Sequence, residues 1–140
     1  MSKHPKFNFI IRTPEGNVHD AEVVSVSLTT DGGDLQCFSG HAALTASVAF
    51  SPIDIDLGDD HSETFMVRNG IFLFDNKTNQ ASLLVLSAEK KSEMQMSTVK
   101  EYHDFIVGKL KEGVDLSEFQ IKYLEGEQLA VEQQLEMVSE

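Results

Sequence analysis

The chain has 140 residues, 41% of them hydrophobic, and a formal net charge of −12. It is therefore large enough to bury one core, and its charge argues against nucleic acid and anionic membrane surfaces as direct partners. A single cysteine excludes an internal disulfide and favours a reducing compartment. No apolar run reaches the roughly 18 residues that a membrane span needs, so we expect no direct membrane insertion.

The first 88 residues show the two-residue period of strands with one buried face. Turns are predicted at 13–16 and 31–34, and Asn69-Gly70 predicts a hairpin because it separates two apolar runs. This pattern predicts an antiparallel β-sandwich or barrel of about eight strands. The residues predicted to face inward are Phe7, Phe9, Ile11, Val24, Val26, Leu28, Leu44, Ala46, Val48, Phe50, Ile53, Ile55 and Leu57.

After residue 88 the spacing changes to that of helices. A first helix is predicted from Val99, Tyr102, Ile106 and Leu110, with a capping box at Thr98-x-x-Glu101. Gly113 is expected to end this helix, since glycine commonly follows a helix.

A second helix is predicted to follow, with Asp115 as its N-cap and a hydrophobic staple between Val114 and Phe119. Its apolar seam consists of Ile121, Leu124, Gln128, Val131, Leu135 and Val138. A short connection predicts an antiparallel helical hairpin. We therefore expect two domains, a β-sandwich at 1–88 and a two-helix domain at 89–140.

The sequence shows no pattern typical of catalysis. Cys37 lies in a short apolar strand and is interpreted as a small buried hydrophobe, and the acidic turn 31–34 has the wrong charge for a phosphate site. No two histidines have metal-ligand spacing on one element; they are His4, His19, His41, His61 and His103. We expect no catalytic, cofactor-binding or metal-binding residues, and interpret the chain as an interaction module. A small enzyme or metal protein using Asp34 and His41 is the disfavoured interpretation.

Four motifs together carry a family resemblance. They are FNFIIRTPEG (7–16), AEVVSV (21–26), TTDGGDL (29–35) and GHAAL (40–44). In this order and in a chain of this length, they resemble the epsilon subunit of bacterial and plastid F-type ATP synthases, which is called delta in mitochondria. The segment Arg68–Ile71 also looks like a hairpin of that family.

The resemblance implies a flattened antiparallel β-sandwich of about eight to ten strands, followed by an antiparallel helical hairpin. It implies a non-catalytic rotor subunit that binds the gamma subunit and the c-ring and couples proton transport to ATP synthesis. The implied partner-binding residues are Asp34 and Leu35 in the acidic turn, which meets the polar loop of the c-ring, and Gly40 and His41 in the loop facing gamma and the ring. Localisation would be peripheral, at the cytoplasmic face of a bacterial inner membrane or its organellar equivalent.

This chain departs from the family pattern at several positions. Ser39 and Ala43 replace prolines around the Gly-His loop, and Gln36 and Asn69 replace glycines. Residues 69–140 contain no arginine, so the ATP-binding motif of some members is not expected, and no cofactor is predicted. Inhibitory members reach the catalytic alpha/beta head through basic helices.

The end of this chain has the opposite charge. From Tyr123 onward it carries five glutamates and no lysine or arginine. Like charges would repel an acidic segment of the head, so we expect a weak or absent inhibitory role. The alternative to the rotor interpretation is a stand-alone β-sandwich interaction module that dimerises through its C-terminal helix.

Overall fold

The computed structural model describes residues 4–113 and 116–139, with side chains to Glu136. Over these residues there are seven strands, a 3-10 turn at Lys91–Glu93 and two helices. Their bounds are β1 Phe7–Thr13, β2 Gly16–Val23, β3 Ser25–Thr30, β4 Gly33–Phe38, β5 Leu44–Gly58, β6 His61–Asp75, β7 Gln80–Lys90, α1 Met96–Glu112 and α2 Glu118–Ser139.

The chain divides into two compact units between Glu93 and Met94. The first unit contains all the described strands and the second contains the two helices. The β-sandwich followed by a helical hairpin, predicted from the sequence, is confirmed. That 1–88 and 89–140 are separate domains stays a prediction.

The strands form one sheet in the order β2-β1-β7-β6-β5-β3-β4. Its pairs are antiparallel except for one, in which Asn8–Arg12 of β1 runs parallel to Gln80–Leu84 of β7. The sequence pattern did not predict this parallel pair, because alternation reports which face is buried and not which strand lies alongside.

Two long strands carry the sheet from one layer to the other. β5 and β6 have 15 residues each. The second half of β5 pairs with β3, whereas the second half of β6 lies beside the part of β7 that pairs with β1. The ring of His19 on β2 consequently lies 5.9 Å from that of Phe65 on β6, although two strands separate them in sheet order.

Alternate residues of β6 face the core, but halfway along the strand the alternation shifts by one residue. We call this shift a change of inward parity. Phe65 and Val67 face the core before the change, and Phe72 and Phe74 face it afterwards. Between them Asn69 has a φ of 54° and no registered partner in β5 or β7. The positions opposite Asn69 are Ala49 and Leu86, and parity changes there too: Val48 and Val85 face the core on one side, Ile53 and Ala88 on the other. We call Ala49, Asn69 and Leu86 the fold line.

The hairpin predicted at Asn69-Gly70 is therefore wrong, because β6 continues through both residues. Asn69 uses its tolerance of positive φ inside a strand rather than in a turn. The apolar runs 44–50 and 52–57, which Ser51 separates, likewise belong to one strand, β5. Beside Pro52, β3 no longer pairs with the β5 backbone, and the Thr29 N–H donates instead to Ser51 Oγ at 2.8 Å. These two continuous strands are why fewer strands form than predicted.

Gly70 provides the space that the fold line needs. A Cβ there would overlap the carbonyl oxygen of Leu84 and lie 2.8 Å from Val85 Cα. Both atoms belong to the β7 backbone, so they cannot rotate away as the end of a flexible side chain could.

We expect Gly70→Ala to lower the free energy of unfolding by about 3 kcal/mol or more, as overpacking against a fixed backbone does. Gly108→Ala is the matched control, since a Cβ at this position in α1 meets nothing within 4 Å. It should be neutral or stabilising by about 0.5–1 kcal/mol through helix propensity. Urea unfolding measures both changes. Equal effects of the two substitutions would contradict the role assigned to Gly70.

The core lies between the two layers and follows most of the predicted inward positions. Three predicted positions lie outside the core cluster. β2 ends at Val23 and β3 begins at Ser25, so Val23 and Val26 join the cluster and Val24 does not; Ala46 and Phe50 of β5 are outside it too. Cys37 is fully buried as predicted, and burial raises the pKa of its thiol to about 11.

α1 ends at the predicted residue but does not begin at the predicted one. Gln95 is its N-cap, and Thr98 lies within the first turn, so the capping box at Thr98 is wrong. Gly113 ends α1 as predicted, with a φ of 59° and its N–H donated to the Lys109 carbonyl. Val99, Tyr102 and Ile106 are buried.

α2 begins at a capping box that the sequence analysis did not identify. Ser117 Oγ accepts the Gln120 N–H at 3.1 Å, and Gln120 Oε1 accepts the Ser117 N–H at 2.8 Å. The predicted cap at Asp115 and the staple from Val114 lie outside the described residues. Along the predicted seam Val131 is buried, and the side chain of Val138 lies outside the described part.

His19 is enclosed by aromatic rings in the sandwich. Its ring centroid lies 5.6 Å from that of Phe9 and 5.9 Å from that of Phe65. Nδ1 lies 3.7 Å from a Glu63 oxygen, while Nε2 is buried with no hydrogen bond to the described chain. Desolvation by burial lowers the pKa of His19, opposed by the nearby charges of Glu63 and Asp20.

This burial predicts acid sensitivity. Because the unfolded chain takes up a proton at His19 at higher pH than the folded chain does, the free energy of unfolding should fall as the pH drops below about 6.5. His19→Phe should reduce that slope, and His61→Gln, at an exposed position, should leave it unchanged. Urea unfolding between pH 7.5 and 5 measures the slope. An unaltered slope in His19→Phe would refute the prediction.

Candidate partner-binding site

The four predicted partner-binding residues lie at or next to β4, an edge strand of the sheet. Asp34 and Leu35 are near its start, and Gly40 and His41 follow its end. Because a strand rises about 3.3 Å per residue, Asp34 and Gly40 are separated by roughly 20 Å. The structure thus brings the predicted residues together in two pairs, one at each end of β4.

The first pair belongs to the β3–β4 hairpin. Asp34 is exposed, and its Oδ1 accepts a hydrogen bond from Thr29 Oγ1 at 2.8 Å, directly across the hairpin. Thr30 Oγ1 donates to the Gly33 carbonyl at 2.8 Å, and Gly33 has a φ of 124°. Leu35 is partly buried against the core. The hairpin therefore holds an acidic side chain at a fixed position in solvent.

The second pair belongs to the loop after β4, which is fastened to the β6–β7 loop by two asparagines. Asn79 Oδ1 accepts the Gly40 N–H at 2.8 Å, and Asn79 Nδ2 donates to Ser39 Oγ at 2.9 Å. Asn76 Nδ2 donates to the carbonyls of Gly40 and His41, at 3.1 and 2.8 Å. Gly40 has a φ of 81°, a conformation that favours glycine.

The orientation of His41 is set by its own loop. Its ring centroid lies 5.6 Å from that of Phe74, and Nδ1 lies 2.8 Å from the Ala42 carbonyl oxygen. A carbonyl can only accept, so Nδ1 carries a proton and the neutral ring has Nε2 as an acceptor. An open groove of about 740 Å³ adjoins this loop, lined by Gly40, Ala42, Ala43, Asp75, Asn76 and Lys77.

Sequence reasoning missed Asn76 and Asn79, which resemble ordinary turn residues. It also missed an exposed apolar row on β6 and β7. Ile71 and Leu84 are paired across these strands and are 45% and 43% exposed, and Leu86 of the fold line is 65% exposed. The signal was available, since leucines at 84 and 86 alternate with inward-facing residues and so occupy a face that would ordinarily be polar.

The part of the chain that the structure describes contains no group of three or more histidine, cysteine or carboxylate side chains that could hold a metal ion. Among the described helices, none is both long enough and apolar enough to span a membrane.

Comparison with known proteins decides the family. The family model "ATP synthase, Delta/Epsilon chain, beta-sandwich domain" matches residues 6–91. The chain belongs to this family. The resemblance predicted from the four motifs is thereby confirmed.

Relatives and solved structures agree with this family. The ATP synthase epsilon chain of Campylobacter jejuni is 38% identical over 63 residues, which are 45% of this chain and 49% of that one. The match thus spans about half the length of that relative. The chloroplastic ATP synthase epsilon chain of Marchantia polymorpha is 28% identical over 94 residues, 67% of each chain. A chain in the mitochondrial ATP synthase structure from Euglena gracilis shares the fold, with a TM-score of 0.62 at 11% identity, covering 89% of this chain and 76% of that one.

The fastening of the Gly40 loop can be tested at Asn79, which has a φ of 53°. Asn79→Ala removes the side-chain hydrogen bonds and strains the backbone, and should cost about 2–3 kcal/mol. Asn79→Gly removes the same bonds without the strain and should cost less. In both variants the Gly40 amide should exchange with solvent faster than in the wild type, as measured by NMR hydrogen exchange. Unchanged Gly40 protection would show that Asn79 does not hold the loop.

Proposed function

We propose that this chain is a non-catalytic central-stalk subunit of an F-type proton-translocating ATP synthase. It binds the gamma subunit and the c-ring and couples proton transport to ATP synthesis, as a peripheral component on the cytoplasmic, matrix or stromal side of the membrane. The observation that carries this proposal is membership of the delta/epsilon family over residues 6–91.

The geometry supports three contact regions of different chemistry. Asp34, on its fixed hairpin, offers a carboxylate to the polar loop of the c-ring, with Leu35 beneath it. Gly40 and His41, with the groove beside them, face gamma and the ring. The apolar row of Ile71, Leu84 and Leu86 offers a desolvatable surface of the kind found at the centre of protein interfaces. Charge and hydrogen bonding at a rotor joint fix register, which suits a role without a nucleophile.

The alternative, a module that dimerises through α2, is less well supported. Its seam needs Val131, which is already buried in the single chain. We expect light scattering to show a monomer.

A binding experiment tests the rotor assignment and the role of Asp34 together. Tagged chain is added to detergent-solubilised ATP synthase membranes depleted of their own epsilon subunit, and recovered subunits are quantified by mass spectrometry. The wild type should recover gamma, alpha and beta in stoichiometric amounts together with the c-ring. Recovery of the tagged chain alone would refute the assignment.

Asp34→Ala should reduce c-ring recovery about tenfold, the effect of losing one hydrogen bond to a charged group. Its melting temperature should change little, because Asp34 is exposed. Glu22→Ala, on the opposite edge strand β2, is the matched control and should bind as the wild type does. A large loss of stability in Asp34→Ala, with binding intact, would assign Asp34 to the turn alone.

The acidic C-terminal segment predicts weak inhibition of ATP hydrolysis. Removing residues 115–140 should change the hydrolysis rate of the reconstituted complex by less than about twofold, because the glutamates repel an acidic segment of the head. Release of activity by tenfold or more would contradict this prediction.

A further inference from the structure

α1 and α2 are joined by polar contacts as well as by their seam. Tyr102 Oη donates to Glu127 Oε1 at 2.8 Å. At the next residue of α1, His103 Nε2 lies 2.9 Å from Glu132 Oε2. Of these two links between the helices, only the second involves a side chain that titrates near neutral pH.

From this geometry we propose that the His103–Glu132 pair is a proton-dependent clamp that holds α2 on α1, strong when His103 is protonated and weak when it is neutral. The proposal concerns the helical unit by itself and does not rest on the proposed function. It adds a regulatory property, since the hairpin would loosen as the pH of its compartment rises.

The groups around His103 favour its charged form. Glu132 faces its Nε2 from α2, and Asp104 of α1 lies 3.6 Å from its Nδ1. Gln128 donates to the same Glu132 oxygen at 3.1 Å, which fixes the carboxylate in place. The hydrogen bond to Glu132 is the main cause that raises the pKa of His103; partial burial opposes it and Asp104 adds to it. The same bond, with help from Gln128, lowers the pKa of Glu132.

The direction of the pH dependence follows from these shifts. His103 stabilises the closed hairpin fully below its unfolded pKa of about 6.5, and this stabilisation is lost as the pH rises through its raised folded pKa. Glu132 contributes above its unfolded pKa of about 4.3, and its share is lost only in stronger acid. The clamp is therefore strongest between these values. At higher pH a neutral His103 keeps at most a weaker hydrogen bond to Glu132, without the opposite charge.

The pair lies where the chain connection restrains the two helices least. His103 lies in the first half of α1 and Glu132 in the second half of α2, away from the connection between the helices. The short connection already keeps the other ends of the helices close. Loss of the His103–Glu132 contact therefore weakens the attachment of the part of α2 that lies away from the connection.

Two measurements on the full chain test the clamp. NMR titration of the histidine rings reports the pKa of His103, which should fall in Glu132→Gln because the main cause of its shift is removed. Spin labels at Ser97→Cys and Gln134→Cys, both exposed positions, report the distance between the ends of the helices that lie away from their connection. Native Cys37 is fully buried, which keeps it from the label.

In the wild-type background the ratio of short to long interspin distances should fall about two- to fivefold between pH 6 and pH 8.5, the range supported by a partly exposed ion pair. In His103→Gln, which can still donate to Glu132 but does not titrate, the ratio should not change with pH. His61→Gln, at an exposed position in β6, is the control and should behave as the wild type does.

Three results would overturn the proposal. They are a His103 pKa that is the same in Glu132→Gln and wild type, a wild-type distance distribution that does not respond to pH, and a pH response that persists in His103→Gln. Because every measurement uses the isolated chain, failure of the clamp leaves the rotor assignment standing, and failure of subunit recovery leaves the clamp standing.

Discussion

The sandwich depends on the close approach of two backbones at Gly70. Three neighbouring strands change their inward parity at the fold line, so that one continuous sheet can supply both layers of a core. Such a change needs one residue that departs from the extended conformation within the strand, and Asn69 is that residue. It also needs a neighbour without a side chain, and Gly70 is that neighbour. Phe65 and Phe72, on either side, could not both reach the core without it.

The same architecture positions the candidate partner-binding site. Since β5, β6 and β7 form the centre of the sheet, β4 is left at one edge, with its backbone open on one side and its two ends projecting. Each end is then fixed by side chains rather than by further strands: Thr29 and Thr30 at the hairpin, Asn76 and Asn79 at the Gly40 loop. A rigid framework with short, fastened loops lets polar groups meet a partner without losing much conformational freedom on binding.

The element types and most of the buried faces were predictable, because periodicity reports burial directly. Phe7, Phe9 and Ile11 show this for β1, and Val99, Tyr102 and Ile106 for α1. The sequence could not predict that β5 and β6 are each one continuous strand. A parity change inside one strand and a hairpin between two strands give the same sequence pattern, and Asn69-Gly70 suits either, since both need a residue that tolerates positive φ. Only the fixed β7 backbone beside Gly70 distinguishes them.

Residue type alone was also insufficient to assign the histidines. His19 and His103 looked equivalent in the sequence, yet their surroundings shift their pKa values in opposite directions. Burial beside the rings of Phe9 and Phe65 disfavours a charge on His19, whereas the Glu132 carboxylate on the facing helix favours a charge on His103. Acidification should therefore weaken the sandwich, whereas the proposed clamp predicts that a rise in pH weakens the helical hairpin.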